Sequence, residues 1–207
     1  MKSQDIVILL KLISLDQQIK QNSKQPEKID ASIWTGWSLN ESPESYQVEP
    51  VMDDAFSNRG LEASTGISKS EVNASIKRSI AVGMAKLDRK TNQPKANISA
   101  LLEFIIHGIK YVYPANPSAI TRGIPTSFAA PILQGKLMTA GEFIFVWPDA
   151  MGKEQGQAVE PLYKTVPMAV KKDPRLYSYL ALIDAIRLGQ SRESSVAAKE
   201  LDKRLRK

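Results

Sequence analysis

The sequence predicts a mainly α-helical protein with a small β content, which is an α+β fold. Apolar residues recur at helical spacing near both ends of the 207-residue chain and again in its middle. A polar, basic turn near residue 90 lies between two short strand candidates. Seven prolines between residues 114 and 167 exclude long helices from that stretch. With 43% hydrophobic residues, the chain can bury the core of one large domain or two small ones.

The first helix is predicted over residues 5–20, as an amphipathic helix. Its apolar residues at helical spacing are Ile6, Leu9, Leu10 and Ile13. Residues 21–50 are polar and contain three prolines, which predicts a long loop or insertion. We expect Trp34 and Trp37 to anchor this insertion to the core or to another subunit, because exposed tryptophan is uncommon.

Two short helices, over residues 57–64 and 68–82, are predicted on either side of a tight turn. Gly66 permits a turn geometry that bulkier residues resist. In the first of these helices, Leu61 and Ala63 are expected to face inward. Two helices joined by a short turn that contains glycine are typical of a helix-turn-helix unit.

The second helix of this pair is expected to have one apolar and one polar face. Ser68 as N-cap and Glu71 three residues later predict a capping box at its start, and Gly83 is expected to end it. The apolar residues four apart, expected to face the core, are Val72, Ile76 and Ile80. The residues expected on the opposite face are Lys69, Ser70, Asn73, Lys77 and Arg78.

A short hairpin is predicted over residues 84–97, directly after this helix. Its turn would place Arg89 and Lys90 at the tip, beside phosphates or in a minor groove, and Lys95 follows on the second strand. Such a hairpin after a helix-turn-helix is called a wing. The apolar residues 98–113 predict one helix that packs under the wing or forms a dimer seam, and His107 within it is expected to be partly buried.

The types of side chain on the polar face suit contact with DNA. Lysines at 69 and 77 suit phosphates, Asn73 can pair with adenine, and Arg78 suits guanine or phosphate. A small residue at Ser70 lets the backbone come close. The residues predicted to bind DNA are Ser68, Lys69, Ser70, Asn73, Lys77, Arg78, Arg89, Lys90 and Lys95. The alternative is a helical hairpin that only packs, or a winged helix used for protein contacts.

Positive charge is concentrated in two parts of the chain. The net charge is +6, from 28 Lys and Arg against 22 Asp and Glu. Residues 56–110 carry a net charge of +5 and residues 161–207 a net charge of +6. This distribution suits a surface that faces phosphates, although solvated lysine and arginine are also ordinary surface residues.

The composition excludes several classes of function. The chain has no cysteine, which excludes disulfides, thiolate nucleophiles and zinc fingers. It has one histidine and none of the usual catalytic or nucleotide-binding motifs. We therefore expect neither an enzyme nor a bound cofactor or metal. The apolar N-terminal stretch is short and flanked by charges, and no stretch suits a membrane span, which predicts a cytoplasmic protein without a membrane partner.

The second half of the chain is predicted to contain one strand and two helices. Residues 141–148 are apolar apart from Glu142, which predicts a buried strand. A helix that ends at Gly189 would bury the residues Leu176, Leu180, Ile183 and Ile186. Ser191 is expected to cap a final, charged helix whose basic end either contacts phosphate or serves solubility, the latter being favoured.

Residues 56–97 resemble the DNA-reading head of bacterial winged-helix regulators of the multiple-antibiotic-resistance-regulator (MarR) type. The segments that carry the resemblance are LEASTGISKSEVNASIKR, VGMAKLDRKT and the turn that follows. The later segments RGIPTSFAAPIL, GEFIFVWP and LALIDAIRLG are similar to uncharacterised bacterial regulators that often neighbour nucleotidyltransferase-like toxin genes. The resemblance implies a DNA-binding regulator, and its second part implies an antitoxin or autoregulator.

The sequence thus predicts a winged helix-turn-helix domain over residues 1–113, with the insertion 21–50, and a partner, dimerisation or sensor region over 114–207. The predicted function is sequence-specific binding of double-stranded DNA by a homodimeric transcriptional regulator. Helix 68–82 would enter the major groove and the wing 84–97 would contact the backbone or minor groove. The first helix and residues 98–113 are the candidate dimer seam. The alternatives are an antitoxin that neutralises a partner toxin through 114–207 and autoregulates its operon, and a small-molecule sensor.

Overall fold

A computed structural model describes residues 1–22, 36–37, 54–137 and 143–207, and these form an α+β fold that is mainly helical. The helices are α1 (Ser3–Asn22), α2 (Asn58–Thr65), α3 (Lys69–Ala81), α4 (Ile98–His107), α5 (Ile109–Val112), α6 (Val166–Val170), α7 (Pro174–Leu188) and α8 (Ser191–Leu205). The strands are β1 (Ala85–Leu87), β2 (Pro94–Ala96), β3 (Pro117–Pro125), β4 (Phe145–Pro148) and β5 (Glu154–Val159).

Helix α1 lies in the middle of the fold and is buried around most of its circumference. Helices α2, α3 and α7 and strand β2 pack against it. Its buried apolar residues are Ile6, Val7, Ile8, Leu9, Leu10, Leu12, Ile13 and Leu15. Its buried polar side chains have partners inside the chain, so it is not the amphipathic surface helix that was predicted. The prediction that α1 forms a dimer seam is also wrong, because the chain covers most of its apolar surface itself.

A buried ion pair joins α1 to the start of α7. Lys11 Nζ lies 2.7 Å from Asp173 Oδ2, and both side chains are almost fully excluded from solvent. Ser14 donates a hydrogen bond to the same carboxylate. Asp173 is also the N-cap of α7, because its Oδ1 accepts from the amides of Arg175 and Leu176. This cluster fixes α1 against α7.

Helices α2 and α3 meet at a three-residue turn, as the sequence predicts. The Ser57 side chain caps α2 by accepting from the Gly60 amide. Gly66 ends α2 with a φ of 68°, the left-handed conformation that glycine adopts without steric cost. Leu61 is fully buried as predicted, whereas Ala63 is exposed, since it lies two residues further round the helix.

The buried face of α3 differs from the predicted one. Val72 is fully buried as expected, but Ile76 is only half-buried and Ile80 is exposed. Ser75 and Ser79 complete the buried face instead, at three and seven residues after Val72. Their small side chains leave room for the bulky residues of α1, against which α3 packs.

The hairpin predicted after α3 is present as strands β1 and β2. The two strands pair antiparallel, with Ala85 opposite Ala96 and Leu87 opposite Pro94. Asn97 caps α4, because its side chain accepts from the Ala100 amide. The helix predicted over 98–113 is interrupted at Gly108, so that α4 and α5 are separate.

The described part of the C-terminal half contains three strands, whereas the sequence predicted one. Strand β3 pairs antiparallel with both β4 and β5, and β4 pairs parallel with β5, so the three strands close on themselves. Strand β4 is the later part of the predicted strand 141–148, of which residues 141–142 lie outside the described ranges. The strands β3 and β5 were missed because they are rich in Pro, Gly and polar residues.

Buried polar contacts join the three strands to α7. Asp184 accepts hydrogen bonds from Trp147 Nε1 at 2.6 Å and Thr126 Oγ1 at 2.9 Å, and it pairs with Arg187 at 2.6 Å. Trp37 is buried beside Tyr177 in an edge-to-face contact, with ring centroids 5.9 Å apart. The predicted anchoring of Trp37 to the core is therefore confirmed, and Trp34 lies outside the described residues.

Helices α7 and α8 pack together and close the core. The predicted apolar residues of α7 (Leu176, Leu180, Ile183 and Ile186) are all buried, and Gly189 follows the helix. The N-cap of α8 is Gln190, whose side chain makes no capping bond, so the prediction for Ser191 is wrong by one residue. One hydrophobic core contains residues of both predicted regions, from Ile6 to Leu205.

Candidate nucleic-acid interface

The solvent side of α3 carries a row of short polar and basic side chains. The predicted DNA-binding residues that the structure leaves exposed here are Ser68, Lys69, Ser70, Asn73 and Lys77. Among the described residues, the side chains of Lys69, Asn73 and Lys77 have no hydrogen-bond or ion-pair partner. Ser68 Oγ and Ser70 Oγ lie 3.3 Å apart. The donors and acceptors of this face are therefore available to a ligand.

Arg78 does not belong to this exposed row, so its prediction as a DNA-binding residue is corrected. Its guanidinium donates two hydrogen bonds to the buried carboxylate of Asp5, at 2.6 Å and 3.0 Å. The side chain of Asp5 is fully buried, whereas that of Arg78 is 29% exposed. Arg78 thus turns back toward α1 and fixes the orientation of α3.

The capping box predicted at the start of α3 is absent. Ser68 is the N-cap residue, but its side chain makes no capping hydrogen bond. Glu71 turns to α1 instead, where it accepts a 2.7 Å hydrogen bond from Gln4 and pairs with Lys2 and Arg78. The hydrogen bond from Gln4 lowers the pKa of Glu71, burial opposes this effect, and the cations Lys2 and Arg78 lower the pKa further.

Replacement of Arg78 by alanine is expected to destabilise the fold by about 2 kcal/mol, because it leaves the buried Asp5 carboxylate without its main partner. Burial raises the pKa of Asp5, but the hydrogen bonds from Arg78 and the Lys2 amide outweigh burial, so this pKa lies below its usual value. The ionised Asp5 carboxylate therefore stabilises the fold fully above pH ~4, the usual carboxylate pKa. This contribution is lost as the pH falls through the lowered pKa of Asp5. Urea unfolding gives the free energy of unfolding of wild type and variant at each pH. We expect the difference between the two proteins to be smaller at pH 3 than at pH 7.

The tip of the hairpin is held in one conformation by Asp88. Its Oδ1 accepts hydrogen bonds from the amides of Lys90 and Thr91, at 2.8 Å and 3.0 Å. The hydrogen bonds from these two amides lower the pKa of Asp88, which stays ionised. Arg89 and Lys90 are exposed on this tip, in the position that the sequence predicts. An ordered tip reduces the entropy lost when these two side chains bind a ligand.

Lys86 is a further exposed cation of the hairpin and is not among the residues predicted to bind DNA. It lies directly opposite Lys95 in the β1–β2 register, and both are exposed. Side chains directly opposite in an antiparallel pair share one face, where like charges destabilise the hairpin. Lys95 Nζ is 3.9 Å from Asp16, and Lys86 has no ion pair among the described residues. A bound anion would relieve this repulsion.

The exposed side of α3 and the hairpin that packs against α3 are both cationic, and we call them together the α3–hairpin surface. Its basic residues are Lys69, Lys77, Lys86, Arg89, Lys90 and Lys95. The acidic residues in this stretch are Glu71 and Asp88, and both are engaged within the chain. The surface thus has an excess of positive charge that the described residues do not neutralise.

Three further observations concern the metal-ligand types, the histidine and the helices of the described ranges. No group of three His, Asp or Glu side chains within them is arranged to hold a metal ion. His107 is exposed, not partly buried as predicted, because the buried side of α4 carries Leu101, Leu102 and Ile105. Its Nε2 lies 3.7 Å from Glu103. No described helix combines the length and the apolar character required to cross a bilayer.

Comparison of the chain with protein-family models, with curated proteins and with solved structures gives no match.

Proposed function

We propose that the protein binds double-stranded DNA sequence-specifically and regulates transcription, with α3 in the major groove and the β1–β2 hairpin on the adjacent backbone or minor groove. The main support is the exposed, unpartnered polar row of α3 beside a cationic hairpin. Helix α3 has 13 residues and is therefore about 20 Å long. The major groove, about 12 Å wide, accepts a helix whose outward side chains are short.

Each part of the α3–hairpin surface has a distinct role in this proposal. Asn73 reads a base edge, since its amide can donate to and accept from adenine. Lys69 and Lys77 contact phosphates on the two sides of the groove. Arg89 and Lys90 contact the backbone or minor groove from the ordered tip. Arg78 is a positioning residue, because it holds α3 on α1.

A homodimer is part of the proposal, because one reading helix rarely makes enough contacts for specific binding. With α1 buried, the α4–α5 segment is the remaining candidate for the dimer seam. Its exposed apolar residues are Ile106, Tyr111 and Val112. Two copies related by a two-fold axis would present two α3 helices to half-sites about 10 base pairs apart.

Selection from a library of random-sequence duplexes tests this function without knowledge of the operator. We expect repeated rounds of binding to enrich one motif with two half-sites. Enrichment of no motif would contradict sequence-specific recognition. Sedimentation of the protein with the enriched duplex would give the number of chains bound.

The salt dependence of binding supplies a second test. With about five phosphate contacts per chain, the plot of log affinity against log salt should have a slope of about −4 to −5 for each chain bound. The reason is that each neutralised phosphate releases counterions. A flat response would contradict DNA binding by the α3–hairpin surface and would favour a protein-binding role, such as that of an antitoxin.

A further inference from the structure

Helix α8 carries a second row of cations on its solvent side. The exposed basic residues of this row are Arg192, Lys199, Lys203 and Arg206. With 3.6 residues per turn, these four positions lie within an arc of about 60°. Helix α8 has 15 residues, so the row is about 20 Å long. We call it the α8 stripe.

The acidic residues of α8 neutralise little of this stripe. Glu200 is paired with Lys136 and Arg204, and Asp202 is paired with Arg206. Glu193 is half-buried in the first turn of the helix. Among the described residues, Arg192, Lys199 and Lys203 have no ion-pair partner. Three cations on one side of the helix are thus open to an anionic ligand.

The C-terminal end of the α8 stripe lies close to the base of the hairpin. Gln17 of α1 donates a 2.7 Å hydrogen bond to the Arg204 carbonyl, and its neighbour Asp16 lies 3.9 Å from Lys95 of β2. Arg206 Nη1 lies 3.5 Å from Ser99 Oγ in the first turn of α4. The end of α1 therefore contacts both β2 and the end of α8, which places the C-terminal end of the α8 stripe next to the base of the hairpin.

We infer that the α8 stripe binds the phosphate backbone of the same DNA beyond the hairpin, an inference that rests on the proposed function. A row of lysine and arginine that lies outside the reading helix suits phosphates, which carry no sequence information. With 3.4 Å per base pair, a row of about 20 Å extends the footprint by as many as six base pairs. The stripe thus adds affinity and not specificity.

Duplex length separates this contact from the contacts of the α3–hairpin surface. The probes are fluorescein-labelled random-sequence duplexes of about 12 and about 30 base pairs, measured by fluorescence anisotropy at several salt concentrations. The variant Lys199→Gln with Lys203→Gln removes two charges of the stripe. The matched control is Lys153→Gln with Lys164→Gln, which removes two exposed lysines outside both surfaces. Far-ultraviolet circular dichroism checks that each variant is folded.

We expect the stripe variant to bind the short duplex within about twofold of wild type and the long duplex about tenfold more weakly. Its salt slope on the long duplex should be smaller by about 2, because each phosphate contact contributes about 0.9. The control should match wild type at both lengths. Equal binding of stripe variant and wild type to the long duplex would overturn the inference, and so would an equal loss at both lengths. If wild type binds neither duplex, the proposed function itself fails.

Discussion

Replacement of Asn73 and Lys77 together by alanine is expected to weaken binding to the selected operator about 100-fold, without loss of stability. Both side chains are exposed on α3 and have no partner among the described residues, so their removal costs the fold little. A well-placed amide contributes about 1–3 kcal/mol of discrimination between bases, and Lys77 adds a phosphate contact. A total loss of about 2.8 kcal/mol corresponds to a factor of 100. Gel-shift titration measures the affinity for the operator, and thermal unfolding measures the stability.

The single variants separate the two roles. Asn73→Ala should lose specific binding and keep the affinity for random-sequence DNA, whereas Lys77→Ala should weaken both and reduce the salt slope by about 1. The double variant Lys153→Ala with Gln155→Ala is the matched control, since it removes an exposed lysine and an exposed amide near β5. An Asn73 and Lys77 double variant that binds the operator like wild type would show that α3 is not the reading helix.

Replacement of Lys11 by methionine is expected to destabilise the protein by about 3 kcal/mol, the largest loss of stability that we predict. Methionine fits the space of the lysine stem but leaves the buried Asp173 carboxylate without its cation, and breaking a buried pair in this way costs about 3–5 kcal/mol. The lower end applies because Ser14 and the first amides of α7 still bind the carboxylate. Urea unfolding followed by circular dichroism gives the difference at pH 7.

A second substitution tests whether the unpaired charge causes this loss. Lys11→Met combined with Asp173→Ser removes both charges and keeps an oxygen at the N-cap of α7, so it should recover more than half of the loss. Burial raises the pKa of Asp173, but the charge and hydrogen bond of Lys11 outweigh it and hold this pKa below its usual value. The wild-type stabilisation is therefore complete above pH ~4 and decreases as the pH falls through the lowered value. No recovery in the double variant would assign the loss to packing.

The short helix α6, the capping box of α3 and the N-cap of α8 were not predicted correctly. Local patterns located most of the other helices, because apolar spacing and glycine turns are features of the segment itself. The turn at Gly66, the hairpin and the end of α7 at Gly189 were all found in this way. The strands β3 and β5 were not, because what makes them strands is their pairing with β4 and not their composition. The burial of α1 was not predicted either. Its charged residues Lys11 and Asp5 are buried because they pair with Asp173 and Arg78, which are distant in the sequence.

The candidate interface was predictable where a residue projects freely and not where it meets a distant segment. The exposed positions of Lys69, Asn73 and Lys77 follow from helical spacing alone. Arg78 directly follows Lys77, about 100° further round the helix. It lies close to the boundary between the two faces, and only the position of Asp5 decides that it turns inward. Lys86 could have been found from the register of the hairpin, which places it opposite Lys95. The residues at which the turn begins and ends determine which residues of the two strands are paired.

The central position of α1 determines the order in which the chain can mature on the ribosome. This helix is synthesised before α7, and the ion pair that joins the two helices links residues separated by 162 positions. At a typical elongation rate of about 5–20 residues per second, α1 waits roughly 10–30 s for that partner. Throughout this interval α1 can already pack against α2, α3 and β2, but the part of its surface that α7 covers stays without its native neighbour.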